Sequence, residues 1–301
     1  MHRIIKGILH PTLILQFILG RSACFIGDKT YVKWKYRLNM GEKCNLEHPN
    51  TFQEKLQWLK FNDRKPIYHQ MVDKVEVKKY IAERVGEEYV IPSIGVWEHF
   101  EDIDFNIFPK EFIIKNTNDS GTYFICTDKD KLDKNEMIKR LSVTWGKDYY
   151  YASREWPYKD LRHRIIAEPL LHDETSNVLT DYKFFTFNGE PKFYYTTSDR
   201  GSKSGLKEDF FDINGKLLEF NQEGYKNNPQ TPPIPKNLEK MVEFARILAK
   251  DTYHLRVDFY ELGDRLYVGE MTFFDGGGFC PFSPRKYNRI IGNWIKLPID
   301  N

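Results

Sequence analysis

Arg256, Asp258 and Glu270 stand among apolar residues in "RVDFYELGDRLYVGEMTFFDGGGF", a stretch with the pattern of a β-hairpin turning at Gly263-Asp264. Loop parity decides which of them share a face, because directly opposed residues of an antiparallel pair point the same way. A two-residue loop sets Asp258 opposite Gly269 and turns Glu270 into the core beside Val257 and Phe259, which buries a carboxylate without a partner. An odd loop of three or five residues instead gathers Val257, Phe259, Tyr267, Met271 and Phe273 on one face, and Arg256, Asp258, Glu270 and Thr272 on the other. The sequence therefore predicts the odd loop. Two carboxylates converging beside an arginine suit Mg2+ on the phosphates of a nucleotide, since magnesium takes one or two protein carboxylates and completes its octahedron with phosphate and water oxygens. The same residues also suit a structural salt bridge between Arg256 and one carboxylate.

Other stretches offer complementary chemistry. "EFIIK" is a strand ending in Lys115, followed by a small polar loop from Asn116 to Thr122 and a second strand through Tyr123 to Cys126. A flexible Ser120-Gly121 loop can cover phosphates with backbone N–H groups while Lys115 adds a point charge; an ordinary β-turn with a solvated lysine is the alternative. In "RIIAEPLL", Glu168, Pro169, Leu170 and Leu171 form a hinge that can offer backbone groups to an adenine edge. In "DYKFF", Lys183 and Asp181 lie on one face of the next strand.

The elements that must position these residues alternate between helix and strand. "DKTYVKWKYRL" and "TFQEKLQWLKFND" read as helices, the second opened by Thr51 with Glu54 at capping-box spacing. "VDKVEVKKYIAERVG" reads as one helix stopped by Gly86, "YVIPSIGVW" as a short strand, and "DKLDKNEMIKRL" as a helix capped by Asp128 or Asp130. "RIIAEPLL", "DYKFFTFNG" and "PKFYYTTSDR" are strands, "NNPQTPPIPKN" is a connector, and "KNLEKMVEFARILAK" is an amphipathic helix leading into the hairpin.

A chain of 301 residues fits one large domain or two small ones. Its 45 Lys and Arg against 43 Asp and Glu carry no excess that points to nucleic acid. The four cysteines form no C-x-x-C pair, and the eight histidines show no ligand spacing, so neither zinc nor a redox pair is indicated and a reducing, cytoplasmic setting is expected. The apolar start, "IIKGILHPTLILQFILG", is interrupted by His10, Pro11 and Gln16 and falls short of the roughly 18 to 20 apolar residues that a bilayer requires. It reads as a helix packed on the domain, with a surface-lying membrane helix and a secretory signal as alternatives; Arg21 speaks against the signal. "GRSACFIGDKT" has the wrong glycine spacing for a P-loop. "DKD" at Asp128 to Asp130 is a short match to the metal motif of glycosyltransferases, the competing function. The aromatic run "WGKDYYYASREWPY" reads as core packing rather than as a sugar platform.

The ordered series "VDKVEVKKYIAERVG", "FIIKNTNDSG", "RIIAEPLL", "DYKFFTFNGEP" and "RVDFYELGDRLYVGEMTF" resembles the ATP-grasp superfamily. "TFQEKLQWLKFNDR" and "REWPY" are similar to its TupA-like branch, linked to teichuronopeptide and other surface-polysaccharide synthesis. The resemblance runs from about residue 28 to about residue 285. It implies an α+β ATP-grasp fold: an apolar segment 1–27, a helical region 28–107, a lid subdomain 108–166 and a C-terminal subdomain 167–301 with the metal site. It further implies ATP clamped between the subdomains, with Lys115 and Lys183 on phosphates, Ser120 and Gly121 in the covering loop, and the hinge at the adenine. Asp258 and Glu270 would hold Mg2+, or Mn2+ in its place. Where many ATP-grasp enzymes end the metal strand in Glu-x-Asn, this chain has Thr272, a weaker ligand. The activity implied is ATP-dependent joining of a carboxylate to an amine through an acyl phosphate, with Arg256 and Arg200 on the substrate carboxylate. The family points to a uronic-acid sugar and an amino acid as substrates, at the inner face of the cytoplasmic membrane.

Overall fold

The computed structural model describes residues 11–172, 179–198 and 206–300. Strands β1 (Gly95–Trp97), β2 (Phe112–Asn116), β3 (Tyr123–Cys126) and β4 (Ile165–Pro169) make an antiparallel sheet in the order β1-β4-β2-β3. A second antiparallel sheet, in the order β10-β9-β5-β6-β7, contains β5 (Asp181–Phe187), β6 (Glu190–Ser198), β7 (Lys207–Asp212), β9 (His254–Leu262) and β10 (Arg265–Thr272). β8 (Asn221–Gln222) pairs with β11 (Phe282–Ser283) in a small ribbon.

Nine helices are defined among the described residues: α1 (Pro11–Arg21), α2 (Asp28–Met40), α3 (Phe52–Asn62), α4 (Ile67–Val72), α5 (Glu76–Val85), α6 (Lys134–Ser142), α7 (Tyr150–Ser153), α8 (Leu238–Leu248) and α9 (Lys286–Gly292). α3 begins as its sequence predicts: Thr51 Oγ1 accepts from the Glu54 amide at 3.2 Å, and Glu54 Oε2 accepts from the Thr51 amide at 3.1 Å. The stretch predicted as one helix from Val72 starts only at Glu76. Asp73 Oδ1 accepts from the amides of Val75 and Glu76 at 2.8 and 3.1 Å, which ends α4 and opens α5. In "DKLDKNEMIKRL" the cap of α6 is Asp133, accepting from Glu136 at 3.0 Å; Asp128 instead caps a preceding 3-10 turn and pairs with Lys131 at 3.0 Å.

The hairpin departs from the predicted loop. Arg265 opposes Leu262, so the loop holds two residues, Gly263 and Asp264, not three or five. The register shifts between Val268, opposite Phe259, and Glu270, opposite Asp258. Gly269 is the extra residue of a β-bulge, and the bulge supplies the change of parity that the odd loop was expected to supply. Asp258 and Glu270 thus share a face, as do Arg256 and Thr272, while Val257 and Met271 share the other. On the turn side of the bulge Tyr267 opposes Tyr260 and leaves the core face predicted for it, and Val268 takes that place beside Phe259. A Cβ on Gly269 would lie 2.4 Å from the Tyr260 ring, so the bulge position has no room for a side chain.

The apolar face of the second sheet, with Phe184, Tyr194, Val257 and Phe259, joins the core cluster that holds Met241, Phe244, Ala245 and Leu248 of α8. At one end of the opposite face, Phe52 of α3 meets Phe185 and Phe187. The remainder of that face is polar. In the first sheet Ile114 and Ala167 pack with Met137 and Leu141 of α6, leaving Lys115 and Glu168 on the far side.

Candidate active site

Register alone gathers the hairpin residues with the residues of β5. Lys183 opposes Asp258 and Asp181 opposes Tyr260, so Arg256, Asp258, Glu270, Thr272, Lys183 and Asp181 share one sheet face. Asp258, with its side chain 1% exposed, is the hub. Its Oδ1 accepts from Arg256 Nε at 2.7 Å, and its Oδ2 accepts from Arg256 Nη2 at 2.7 Å and from Lys183 Nζ at 2.5 Å. Burial alone would raise the Asp258 carboxyl, but Arg256 and Lys183 outweigh it and hold the group below its ordinary value. Lys183 also lies 3.3 Å from Asp181 Oδ2. Arg256 Nη1 donates to Asp275 Oδ1 at 2.5 Å, and Asp275 accepts from Gln222 as well.

This pairing includes the structural salt bridge left open by the sequence, and it still leaves room for chemistry. A guanidinium has five N–H donors, of which three are used here, so one N–H on each Nη remains. A carboxylate has about four lone-pair sites, so three donors leave about one, on Asp258 Oδ1. Glu270 is 40% exposed and lies 3.8 Å from Arg256 Nη2. Among the described residues no group of three or more His, Cys, Asp or Glu is set to hold a metal by itself. The donor set therefore fits Mg2+ only as one or two carboxylates completed by ligand and water oxygens, its usual manner beside phosphates.

The facing wall comes from the first sheet. Glu168 bridges two lysines, with Oε2 2.6 Å from Lys115 Nζ and Oε1 2.6 Å from Lys78 Nζ of α5. Burial pushes the Glu168 carboxyl up, yet the two lysines hold it below its ordinary value. Glu168 and Pro169 lie within β4 opposite Ile113 and Phe112; the Leu170 amide bonds the Glu111 carbonyl at 3.5 Å, and Leu171 follows beyond the strand. In the β2–β3 loop the Thr117 amide bonds the Arg164 carbonyl at 2.9 Å, Asp119 Oδ2 accepts from Thr144 at 2.5 Å, and Asn116 to Asp119 are buried. Ser120, bonded to Tyr149, is exposed at the tip beside Gly121, whose φ is 91°.

Lys74, unnoticed in the sequence, joins the walls. It donates to the Asp119 carbonyl, and burial pushes its amine below the ordinary lysine value against the pull of Glu270 and Asp119. Lys78 and Asp275 were also missed. "VDKVEVKKYI" held the signal for both lysines, in charges at positions 74 and 78 that straddle a helix start; Asp275 sits in a glycine run that reads only as a flexible turn.

The TupA-like ATPgrasp family model matches residues 54–296. The chain belongs to the TupA-like ATP-grasp family. Its α+β architecture is the ATP-grasp fold named by the sequence resemblance. Solved structures similar to this ATP-grasp chain include a D-alanine--D-alanine ligase from Bacillus anthracis complexed with ATP, with 14% identity, a TM-score of 0.39, and 67% of this chain covered. A D-cycloserine synthetase has 15% identity and a TM-score of 0.40, over 77% of this chain and 72% of its own. The ATP-grasp ligase PsnB complexed with minimal precursor, Mg and ADP has 13% identity and a TM-score of 0.39, over 74% and 60%. This chain spans 55% of the first of these. None of the curated proteins matches it.

The two stretches similar to the TupA-like branch meet inside this ATP-grasp chain. From α3, Gln57 Nε2 donates to the Gly278 carbonyl at 2.6 Å, and buried Lys60 donates at 2.7 Å to the carbonyls of both Gly277 and Ser153. Gly276, Gly277 and Gly278 all have positive φ, and a Cβ on Gly278 would lie 2.4 Å from Gln57. α3 thus clamps the turn that carries Asp275 to the "SREWPY" segment. Burial lowers the Lys60 amine to about 7 and raises the neighbouring Glu155 carboxyl to about 7, with attraction between the two opposing both shifts. Of the aromatic run, Tyr150 and Tyr158 are buried as expected, but Tyr149 and Tyr151 line a cavity of about 720 Å³ with Tyr31, Lys35 and Asp119. Arg200 lies outside the described residues.

Proposed function

We propose that this chain is an ATP-dependent carboxylate–amine ligase that works through an acyl phosphate, joining an amino acid to a uronic-acid carboxylate in surface-polysaccharide synthesis. The observation that carries the reading is the convergence of Arg256, Lys183, Asp258 and Glu270 on one sheet face, opposite Lys115 and Lys74, in a chain of the ATP-grasp family. Phosphoryl transfer depends on positioning and on neutralised charge more than on a nucleophilic side chain, which suits a site built from lysine, arginine and carboxylates.

In this reading Lys115 and Lys183 neutralise the phosphates of ATP, and the backbone amides at Ser120 and Gly121 close over them. The backbone from Glu168 to Leu171 receives the adenine edge. Arg256 directs its two unused N–H groups at the substrate carboxylate, which attacks the γ-phosphorus as the bond to ADP breaks. Asp258 and Glu270 would hold Mg2+, with Thr272 beside them, and Mn2+ is an acceptable substitute. When bound, the metal offsets charge on the transferred phosphoryl group. The amine then displaces phosphate from the acyl carbon.

The cavity beside Tyr149 and Tyr151 is large enough for a saccharide and borders Asp119 of the covering loop. α1 packs through Leu19, while Leu13, Ile14, Phe17 and Ile18 face solvent, which supports peripheral contact with the cytoplasmic membrane face. No helix among the described residues is long and apolar enough to cross a membrane. The test combines uronates with the common amino acids, Mg-ATP and purified protein. The expected result is a conjugate visible by mass spectrometry with one ADP released per product. ADP release that ignores both substrates, or conjugation that requires a nucleotide sugar and no ATP, would overturn the reading.

A further inference from the structure

Glu208 is 3% exposed on β7, and its Oε2 has no hydrogen-bond partner. Across the ladder it opposes Thr197, which opposes Asp181, which opposes Tyr260. Glu208 therefore points from the same sheet face as Arg256, Asp258 and Lys183, at the edge farthest from the hairpin. Among the described residues, Asp275, Arg256 and Lys183 are the charged groups that act on it, and Tyr195, Tyr225 and Cys280 feel its charge in turn. A buried carboxyl oxygen left unpaired is rare in native proteins and calls for an explanation. A missing donor explains it.

The surroundings select the donor. Arg256 and Lys183 are already paired with Asp258, Asp275 and Asp181; an anion would meet the carboxyl groups of Asp275 and Glu208, whereas a cationic amine meets both of them and the aromatic side chains of Tyr195 and Tyr225. We propose that Glu208 forms the subsite for the acceptor amine, its Oε2 accepting a hydrogen bond from the incoming ammonium and then taking its proton. The freed lone pair attacks the acyl carbon, the carbon–oxygen bond to phosphate breaks, and inorganic phosphate leaves with the bonding electrons and takes the second amine proton. Burial, then repulsion from Asp275, raises the Glu208 carboxyl to about 8 against the attraction of Arg256 and Lys183. That brings it close to the operating pH, where a general base is most efficient.

This inference rests on the ligase reading, and hydroxylamine separates the two. Hydroxylamine is mostly neutral at neutral pH and captures an acyl phosphate without a base. Wild type and Glu208→Gln are each given Mg-ATP, a uronate panel, and either hydroxylamine or the mixed common amino acids. The expected result is hydroxamate formation within about twofold of wild type and amide formation lowered on the order of 10²-fold. Unchanged amide formation, or equal loss of both products, overturns the role of Glu208 while the ligase reading stands. If wild type yields neither product, the ligase reading falls and this inference falls with it. Should Glu208→Gln be unstable, the wild-type pH profiles decide: amide formation should rise and level off near about pH 8 while hydroxamate formation stays flat, and an amide rise that continues well beyond that point, following the titration of the amine itself, refutes the proposal.

Discussion

Replacing Asp258 by asparagine should cost stability as well as activity, whereas Glu270→Gln should cost activity alone. Both changes keep the shape of the side chain and remove one charge, so they differ only in what surrounds that charge. Asp258 pairs with Arg256 and Lys183, whose side chains are 11% and 9% exposed, and neither has a nearby bulk-water alternative. Removing one partner from a buried ion pair costs about 3 to 5 kcal/mol, and Asp275 and Asp181, which keep a carboxylate beside Arg256 and Lys183, hold this case to about 3 kcal/mol. Glu270 is far more exposed and 3.8 Å from its cation, so its loss should cost less than about 1 kcal/mol. Urea unfolding with an unchanged m-value should therefore separate the variants by about 2 kcal/mol, or about 3 °C in melting temperature. Because its cations hold the Asp258 carboxyl below its ordinary value, the stabilisation is present above about pH 4 and is lost as pH falls through the folded value. The gap between wild type and Asp258→Asn should accordingly close on acidification. Equal stability of the two variants at neutral pH would refute the ion-pair argument, and wild-type ATP turnover in either would refute the metal-holding role.

Lys115→Ala should slow ATP turnover on the order of 10²-fold, measured as ADP release, because a preorganised charge at the phosphates is lost. Lys60→Met should destabilise the chain by about 3 kcal/mol in urea unfolding, since three buried acceptors, Gln57 Oε1 and the carbonyls of Ser153 and Gly277, lose their donor. In hydrogen exchange, Mg-ATP should slow Ser120 to Thr122, with less change at Asn118 and Asp119, which are buried already; no change at the loop tip would remove the loop from the site. Gly269→Ala should lower stability by about 1 to 3 kcal/mol through overpacking against Tyr260, read by thermal unfolding.

The sequence carried the elements and the sorting of faces because both depend on local chemistry. Thr51 and Glu54 announce a helix start wherever they occur, and the alternation around Asp258 forces a carboxylate-bearing face. The means of that sorting was not legible. Gly269 looks like any strand glycine, and only the Tyr260 ring across the pair reveals why it must be there. Partners brought together over long separations were equally hidden: Glu168 was read for its backbone, yet its side chain binds Lys78 and Lys115, ninety and fifty-three positions away. Lys60 follows Leu56 by four residues and Phe52 by eight, on the flank of the apolar stripe, yet its residue type suggests a solvated end rather than the full burial it has. Glu208 lies in a segment with no strand assigned to it from sequence, because the preceding "SDRGSKSG" suggests only a loop.

The bulge also constrains how this hairpin can change length. A two-residue turn with one bulge and a three-residue turn with none give the same pairing of Asp258 with Glu270. The bulge is thus a spare residue of the hairpin. Deleting Gly269 alone keeps Val268 opposite Phe259 and sets Glu270 directly after it, opposite Asp258, so the carboxylate face survives in a regular ladder. Relatives that lack this glycine should therefore keep the two-residue turn and the pairing of the two carboxylates, with a one-residue gap at the bulge.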